Sequence, residues 1–533
     1  MTENVELYDT TLRDGAQTEG ISYSVQDKIR ISRKLDELGV HFIEAGWPAN
    51  SKDKEVFRQL RAKPLKFAKL AAFGSTRRAD KKVNLDPSIK GILATEAKVV
   101  TIFGKTWDLH VKEVLRISLD DNLKIISDTL SYLASKSKTV IYDAEHFFDA
   151  YKHNSEYALK TILVAQDSGA SRIVLCDTNG GTITSELSRI IKEIAPKIKV
   201  ALGIHTHNDS GLAVANSIVA VENGVTHVQG TFNGYGERCG NADLTTIIGI
   251  LKTKMAIDCI SDKNLKELTG VSHFISEVSN MRQQPNQPFV GTSSFVHKGG
   301  VHIDAMLKNP KTYEHIDPGV VGNHRRLLVS ELAGKMPIIL KAKEFNLDLD
   351  KKSPTTRKIL KLLQDMELKG YQFEAADASF EILMKRALKK YKKFFDLESF
   401  RVVVEKKPDG KVTSEAIIKI KVKGVGEHTA ADGDGPVNAL DNALRKALKS
   451  FYPNLAKMHL SDFKVRVLEE KAGTAARVRV LIQSQDENDS WGTVGVSENI
   501  IEASWQALVD SVEYKLLKDN HAKHTISIQS KGS

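Results

Sequence analysis

Cysteine is scarce: the 533-residue chain has three, Cys176, Cys239 and Cys259. An odd number with no CxxC spacing argues against a disulfide framework and against a cysteine-built zinc site, and it fits a reducing cytoplasm. Long apolar runs are missing too. No stretch approaches the roughly 20 residues that span a bilayer, and the start, MTENVELYDTT, lacks the basic and apolar regions of a secretory leader, so no membrane partner is expected. Nor does one sign of charge dominate, since 77 Lys and Arg against 67 Asp and Glu leave +10 spread over the whole length. The densest basic clusters, MKRALKKYKKFF and KKSPTTRKILK, look like helix faces with no aromatic ladder or nucleic-acid motif beside them, so no nucleic-acid partner is expected either. What remains is an ordinary globular composition, 41% hydrophobic and 27% charged, in a chain too long for one hydrophobic core.

What is present, from Val5 to about Met255, is one repeated pattern: a short apolar run rich in β-branched residues, a polar turn, then a longer run with helical spacing. The apolar runs begin at Val5, His41, Lys66, Val99, Thr139, Arg172, Val200 and Thr226. Eight alternating β and α units over this length predict an α/β fold of the (βα)8 TIM-barrel type rather than an open doubly wound sheet. Residues 281–335 are rich in Gly, Pro, His and Asn with weak periodicity, and 336–395 are mostly helical in pattern with a break at KKSPTT. From about Ser399 three strand patterns (FRVVVEKK, EAIIKIKVKG, GEHTAADG) precede a helix beginning near Gly435, and a second pass repeats them (DFKVRVLEE, ARVRVLIQSQ, SWGTVGVSE) before NIIEASWQALVDSVEYKLL. The expected organisation is a barrel over 1–270, a helical linker over 271–395, an α+β domain of two βββα units over 396–520, and a tail over 521–533.

The sharpest chemical signal is His205-Thr206-His207-Asn208-Asp209 at the end of the seventh strand. Side chains two apart on a strand share a face, and the C-terminal rim is where barrel enzymes keep their sites, so both imidazoles can reach one ion. Asp14, after the first strand in LRDG, lies on the same rim and supplies the oxygen ligand that a divalent cation wants. Two His and one carboxylate leave positions open for substrate oxygens, a Lewis-acid arrangement. Arg13 can hold a carboxylate or a developing oxyanion; the alternative is a structural ion pair with Glu44 at the end of the second strand. Glu145, ending the fifth strand inside the mouth, is the candidate base. Cys239 reads as a packed thiol. Of the other histidines, His110, His146, His153, His227, His273, His297, His315 and His324 lack a partner at metal spacing, so surface or structural roles are expected.

DTTLRDG, Glu44 in FIEAGWP and HTHND together resemble the TIM-barrel metallolyase superfamily marked by an Asp-Arg-Glu signature, which includes the isopropylmalate, homocitrate and citramalate synthases, HMG-CoA lyase and certain aldolases. NGYGERCGN, residues 233–241, is similar to the NGxGERxGN segment of the synthase branch. The repeated C-terminal domain with its GPVNAL stretch looks like the regulatory domain of the isopropylmalate and citramalate synthases, which the lyases and aldolases lack. Gly46-Trp47-Pro48 and the segment Tyr142–Phe148 resemble the citramalate branch.

That resemblance implies an acyltransferase with acetyl-CoA as co-substrate and pyruvate as acceptor, or another 2-oxo acid in the sister synthases. It adds Asn241 beside Asp14, His205 and His207 as a ligand of Mg, Mn or Zn, and places Thr178 on the substrate carboxylate with Arg13 and Glu44. It implies a homodimer in which His302 and Tyr313, from the partner's linker, work with Glu145; whether Glu145 or His302 takes the proton stays open. It also implies that an end-product amino acid, isoleucine or leucine, binds the C-terminal domain, with plain dimerisation as the alternative. A metal-dependent lyase or aldolase, and a non-catalytic amino-acid sensor, remain as readings of another class.

Overall fold

The computed structural model describes residues 4–327, 339, 342–343, 353–373, 375–468, 476–487 and 489–529. They fall into two compact units, Met1–Val296 with Glu314–Arg325, and His297–Tyr313 with Arg326–Ser533. Parts of the expected linker (328–338, 340–341, 344–352 and 374), residues 469–475 and 488, and 530–533 of the expected tail lie outside the described residues.

The first unit is a closed parallel barrel: β1 (Glu6–Asp9), β2 (Phe42–Gly46), β3 (Lys69–Ser75), β4 (Val99–Lys105), β5 (Thr139–Glu145), β6 (Ala170–Asp177), β7 (Ala201–Thr206) and β8 (His227–Gly230) pair in chain order. β8 closes on β1 with Leu7 opposite Val228. All eight expected apolar runs are strands. They read as near-continuous apolar stretches because each is covered on both faces. The outer layer is α1 (Val25–Leu38), α2 (Ser51–Ala62), α3 (Pro87–Ala94), α4 (Leu119–Ser135), α5 (Ser155–Asp167), α6 (Thr184–Ile194), α7 (Ala213–Glu222) and α8 (Leu244–Lys254).

Local chemistry marks where these helices begin and end. Ser24 and Asp27 form a reciprocal capping box at the start of α1, each side chain accepting from the other's backbone N–H. Gly39 ends α1 in the left-handed conformation, φ 92°, which costs glycine nothing. Asp36, on the last turn of α1, accepts the N–H groups of Lys66, Phe67 and Ala68 at 2.7–2.8 Å, tying that helix to the approach to β3.

Inside the barrel the layers change character along the axis. At the N-terminal end Arg172 clamps Glu6 through two hydrogen bonds of 2.7 Å. Next comes an apolar layer of Phe42, Val99, Ile141 and Val174 with the ring of Tyr8. Beyond it the interior turns polar, with Glu44, Thr101, Asp143 and Gln229 all buried. This polar layer forms a floor beneath the C-terminal mouth.

The segments 271–296 and 314–325 fold with the barrel, although 281–296 and 314–325 show little periodicity in sequence. Hydrogen bonds hold them: the Asn323 side-chain amide donates to the carbonyls of Phe289 and Gly291 at 2.9 and 3.0 Å, and His273 bonds the carbonyl of Val290 at 3.0 Å. Composition alone does not display such ties.

The second unit contains α9 (Pro354–Leu368) and α10 (Asp377–Ala387), then β9 (Asp396–Lys406), β10 (Val412–Val422), β11 (Val425–Gly433) and α11 (Pro436–Leu448), then β12 (His459–Val467), β13 (Val478–Gln485), β14 (Ser490–Ser497) and α12 (Ile500–Gln529). Each strand trio is an antiparallel three-stranded sheet. The expected βββα unit therefore occurs twice. Alternation does the work in β10, where Ala416, Ile418, Ile420 and Val422 face inward to meet Leu440, Ala443, Leu444 and Ala447 of α11. α12 runs on to Gln529, into the stretch expected as a tail. Among the described residues no helix is long and apolar enough to cross a membrane.

Candidate active site

The turn after β1 is built to display two charged side chains. Asp9 accepts the backbone N–H and the hydroxyl of Thr11 at 3.0 and 2.7 Å, and the carbonyl of Thr10 then accepts from the N–H groups of Arg13, Asp14 and Gly15. Arg13 and Asp14 are thereby set on the barrel mouth. β7 delivers His205, and His207 follows directly on the same face. Asn241 arrives from the loop after β8, held by a short antiparallel bridge to His207. That loop needs Gly236, because a Cβ there would stand 2.2 Å from Asn241 Oδ1.

The four groups converge. His205 Nε2 lies 3.3 Å from His207 Nε2 and 3.3 Å from Asp14 Oδ2, and Asn241 Nδ2 lies 2.8 Å from Asp14 Oδ2. Among the described residues, Asp14, His205 and His207 are the one trio of His, Cys, Asp or Glu whose ligand atoms all fall within 4.8 Å of each other. Burial by itself raises the Asp14 carboxyl, but Arg13 and His205 override it and hold the group well below the usual range. Burial lowers His205, yet the bond and charge of Asp14 outweigh it and leave it raised. His207 is pushed down to about 3 by burial and then by the charge of His205. A histidine that stays neutral beside a permanent carboxylate suits a divalent cation. The orphaned atoms agree: Asn241 Oδ1 is buried with no partner, and a half-turn of its amide would present that oxygen to the same centre. The residues present fit a metal ion.

Around this centre lies a cavity of about 230 Å³ lined by Arg13, Trp47, Phe73, Phe103, Glu145 and Thr178, among others. Arg13 Nε donates to Glu44 Oε1 at 2.6 Å, and its guanidinium carbon sits 3.8 Å over the Phe73 ring. The second Glu44 oxygen accepts from Tyr8 Oη at 2.6 Å. Glu44 is fully buried and both oxygens are engaged, so it reaches the site through Arg13. The ion pair weighed as an alternative to a catalytic Arg13 exists; Nη1 also lies 3.4 Å from Asp14 Oδ2, and the side chain lines the cavity. Trp47 stands edge-on to Phe73 and Phe103 at 5.8 Å each, forming an aromatic wall.

Thr178, just past β6, accepts the backbone N–H of His146 at 2.9 Å. Glu145 ends β5 with Oε2 taken by Lys105 Nζ at 2.5 Å. Sequence reasoning missed Lys105. No local signal marked it, because the contact follows from the register of β4 and β5, which sets Lys105 opposite Glu145. His302 and Tyr313 belong to the second unit, where their rings stack at 4.2 Å; both are exposed. Cys239 corrects the expectation of a packed thiol: it is exposed, on the loop that carries Asn241, whereas Cys176 and Cys259 are buried, and none of the three is bonded to another.

A roomier groove of about 790 Å³, lined by Asn438, Asp441, Arg445 and Lys449 on and just after α11 and by His459 and Phe463 of β12, lies in the second unit. It carries none of the convergent metal-type groups, so the smaller cavity is the chemical site.

Comparison with known proteins agrees with this geometry. Residues 4–275 match the HMGL-like family, 289–367 the homocitrate synthase post-HMGL domain-like family, and 374–516 the LeuA allosteric (dimerisation) domain. A barrel of this class joined to that C-terminal domain defines a synthase-type acyltransferase. The chain is 57% identical to the (R)-citramalate synthase of Geobacter sulfurreducens over 96% of its own length and 98% of the relative's, and 53% identical to that of Aquifex aeolicus over 97% and 99%. The 2-isopropylmalate synthase of Methanocaldococcus jannaschii is similar at 30% over 97% and 95%. The chain belongs to the (R)-citramalate synthase family.

Proposed function

We propose that the barrel condenses acetyl-CoA with pyruvate and hydrolyses the resulting thioester, giving citramalate and CoA. The observation that carries this reading is the convergence of Asp14, His205 and His207 beside the Arg13 guanidinium in a small aromatic-walled cavity. Supporting it are the near full-length likeness to (R)-citramalate synthases and the aromatic wall of Trp47, Phe73 and Phe103 beside the metal-type groups.

Asp14, His205, His207 and Asn241 would hold a divalent cation, which supplies Lewis acidity toward the 2-oxo acid when bound. Arg13 donates to the acceptor oxygen as negative charge develops there; it is pre-positioned by Glu44, so little reorganisation is needed. Thr178 orients the acceptor's carboxylate, and Trp47, Phe73 and Phe103 enclose its methyl group and exclude water. A base, Glu145 or His302 with Tyr313 beside it, removes a proton from the acetyl methyl group; the new C–C bond forms from that carbon to C2 of pyruvate, and the former carbonyl oxygen takes up a proton as hydroxyl. Water then adds to the thioester carbonyl and the C–S bond breaks, leaving a carboxylate and the CoA thiol. The chain acts as a homodimer through its C-terminal domain, with the partner subunit's His302 and Tyr313 completing each site. That domain takes an amino-acid effector, isoleucine, the end product of the route this step serves.

The test is CoA-thiol release from acetyl-CoA with pyruvate, 2-oxoisovalerate and 2-oxoglutarate offered separately, with a divalent ion and then with EDTA. A pyruvate preference abolished by EDTA is expected. Preference for another acid would move the acceptor within the same chemistry, and no thiol release with any of them would overturn the reading.

A further inference from the structure

His205 and Gln229 stand opposite one another in the parallel register of β7 and β8. His205 Nδ1 lies 2.9 Å from Gln229 Oε1, and Gln229 Nε2 lies 3.1 Å from Asp143 Oδ1 on β5. All three residues are buried, His205, Gln229 and Asp143 at 5%, 0% and 4% exposure, so water cannot substitute for any of these bonds. The direction of the chain follows from the charge on Asp143. With that carboxyl ionised its oxygens accept, so the amide NH2 faces Asp143 and the amide oxygen faces the imidazole; an amide oxygen only accepts, so Nδ1 carries the proton. A neutral imidazole has one N–H, which leaves the lone pair on Nε2, the atom that points at Asp14 and His207. His207 has no such device, its Nδ1 being buried without a partner.

We propose that Gln229, anchored by Asp143, is a positioning residue that locks His205 in the Nδ1–H form and so presents its Nε2 as a metal ligand. The inference rests on the reading of Asp14, His205 and His207 as the metal set. Gln229 touches neither substrate nor ion. It acts by fixing the tautomer and aim of a ligand, as hydrogen-bond partners of ligating histidines do elsewhere.

The experiment is calorimetric titration of the full chain with Mn²⁺, comparing the unsubstituted protein with Q229M, Q229E and H207A. Methionine matches glutamine in length but offers Nδ1 only a weak thioether acceptor and Asp143 no donor. The carboxyl group that Q229E introduces, once protonated, keeps an acceptor toward His205 and a donor toward Asp143. Q229M is expected to weaken Mn²⁺ binding about 10- to 100-fold, and Q229E to stay within about threefold of the unsubstituted protein. A residue that merely filled the barrel would give the opposite order, since a buried acid next to Asp143 is worse packing than a thioether. Binding by Q229M within about twofold of the unsubstituted protein, or binding by Q229E weaker than by Q229M, overturns the inference. If H207A loses Mn²⁺ while Q229M does not, the metal reading stands and this inference alone falls; if H207A binds normally, both fall. Should Q229M not fold, nuclear magnetic resonance of the unsubstituted, Zn²⁺-loaded protein labelled with ¹⁵N-histidine decides. A slowly exchanging, hydrogen-bonded Nδ1–H on His205 upholds the lock, and a freely exchanging one overturns it.

Discussion

Arg13→Ala separates the two roles that meet in one side chain. Glu44 is fully buried, and Arg13, with 17% of its side chain exposed, is its cationic partner at 2.6 Å. Removing the guanidinium leaves the Glu44 carboxylate with the Tyr8 hydroxyl alone, and stranding one member of a buried pair costs about 3–5 kcal/mol. The same change removes the donor aimed at the acceptor oxygen, a loss of about 10²–10³ in kcat where such donors have been deleted. Adding Glu44→Gln removes the stranded charge, since an amide still bonds Tyr8, and is expected to return at least half of the lost stability, ~2 kcal/mol. It supplies no cation to the substrate, so activity is expected to stay low. Chemical denaturation of both variants, read beside CoA release at saturating pyruvate and divalent ion, measures the two effects independently. Recovery of near-normal turnover in the double variant would refute the reasoning, because Arg13 would then act only as the partner of Glu44. A stability change under about 0.5 kcal/mol in Arg13→Ala would refute the buried-pair argument itself.

Three further outcomes are expected. His207→Ala, which lies at the mouth and not in the packed interior, should abolish metal-stimulated CoA release while leaving the thermal transition of the metal-free protein within a few degrees, as checked by calorimetry; retained turnover would sink the metal assignment. Trp47→Ala should open the aromatic wall and shift kcat/KM toward 2-oxo acids one or two methylenes longer than pyruvate by about 10-fold or more, from about 1–3 kcal/mol per methylene in an apolar pocket; an unchanged ranking would mean that the wall does not set acceptor size. In the second unit, burial pushes Glu513 from 4.5 up to about 7 despite Arg386. A folded-state value raised in this way contributes stability that is complete below about pH 4.5 and lost as pH rises through about 7. Glu513→Gln should therefore raise the melting temperature at pH 8, worth up to about 3 kcal/mol, and do nothing at about pH 4; an equal shift at both pH values would show that charge is not the cause.

Much of the molecule is legible in the order of its residues, and the exceptions share a cause. Periodicity is a local property, so eight apolar runs separated by helical spacing announce eight strands, and a pattern repeated from Ser399 announces the twofold βββα domain. The pair His205 and His207 is local as well, since alternation along a strand puts both rings on one face. Barrel topology then puts Asp14 on the same rim, because the turn after β1 opens at the same end as that after β7. These inferences needed no distances.

The rest was settled by closure of the barrel, which brings together side chains that no local rule relates. Asn241 meets Asp14 across 227 positions of sequence, and Gln229 meets Asp143 across 86. Lys105 finds Glu145 only because β4 and β5 pair in that register, and one residue of slip would send them to opposite faces. Polarity alone did not mark Gln229, Asp143 or Tyr8, because a buried polar residue is conspicuous only once its surroundings are known to be dry. Cys239 turned outward because the loop bearing Asn241 folds its glycines against its own Gly234 and Asn241 and leaves the thiol in solvent. Sequence thus determined the kind of fold and the kind of chemistry, through spacing and residue type. Which atoms donate, which accept and which carboxylates are held was decided by the tertiary structure, because those depend on register around a closed ring of strands and on the exclusion of water from its interior.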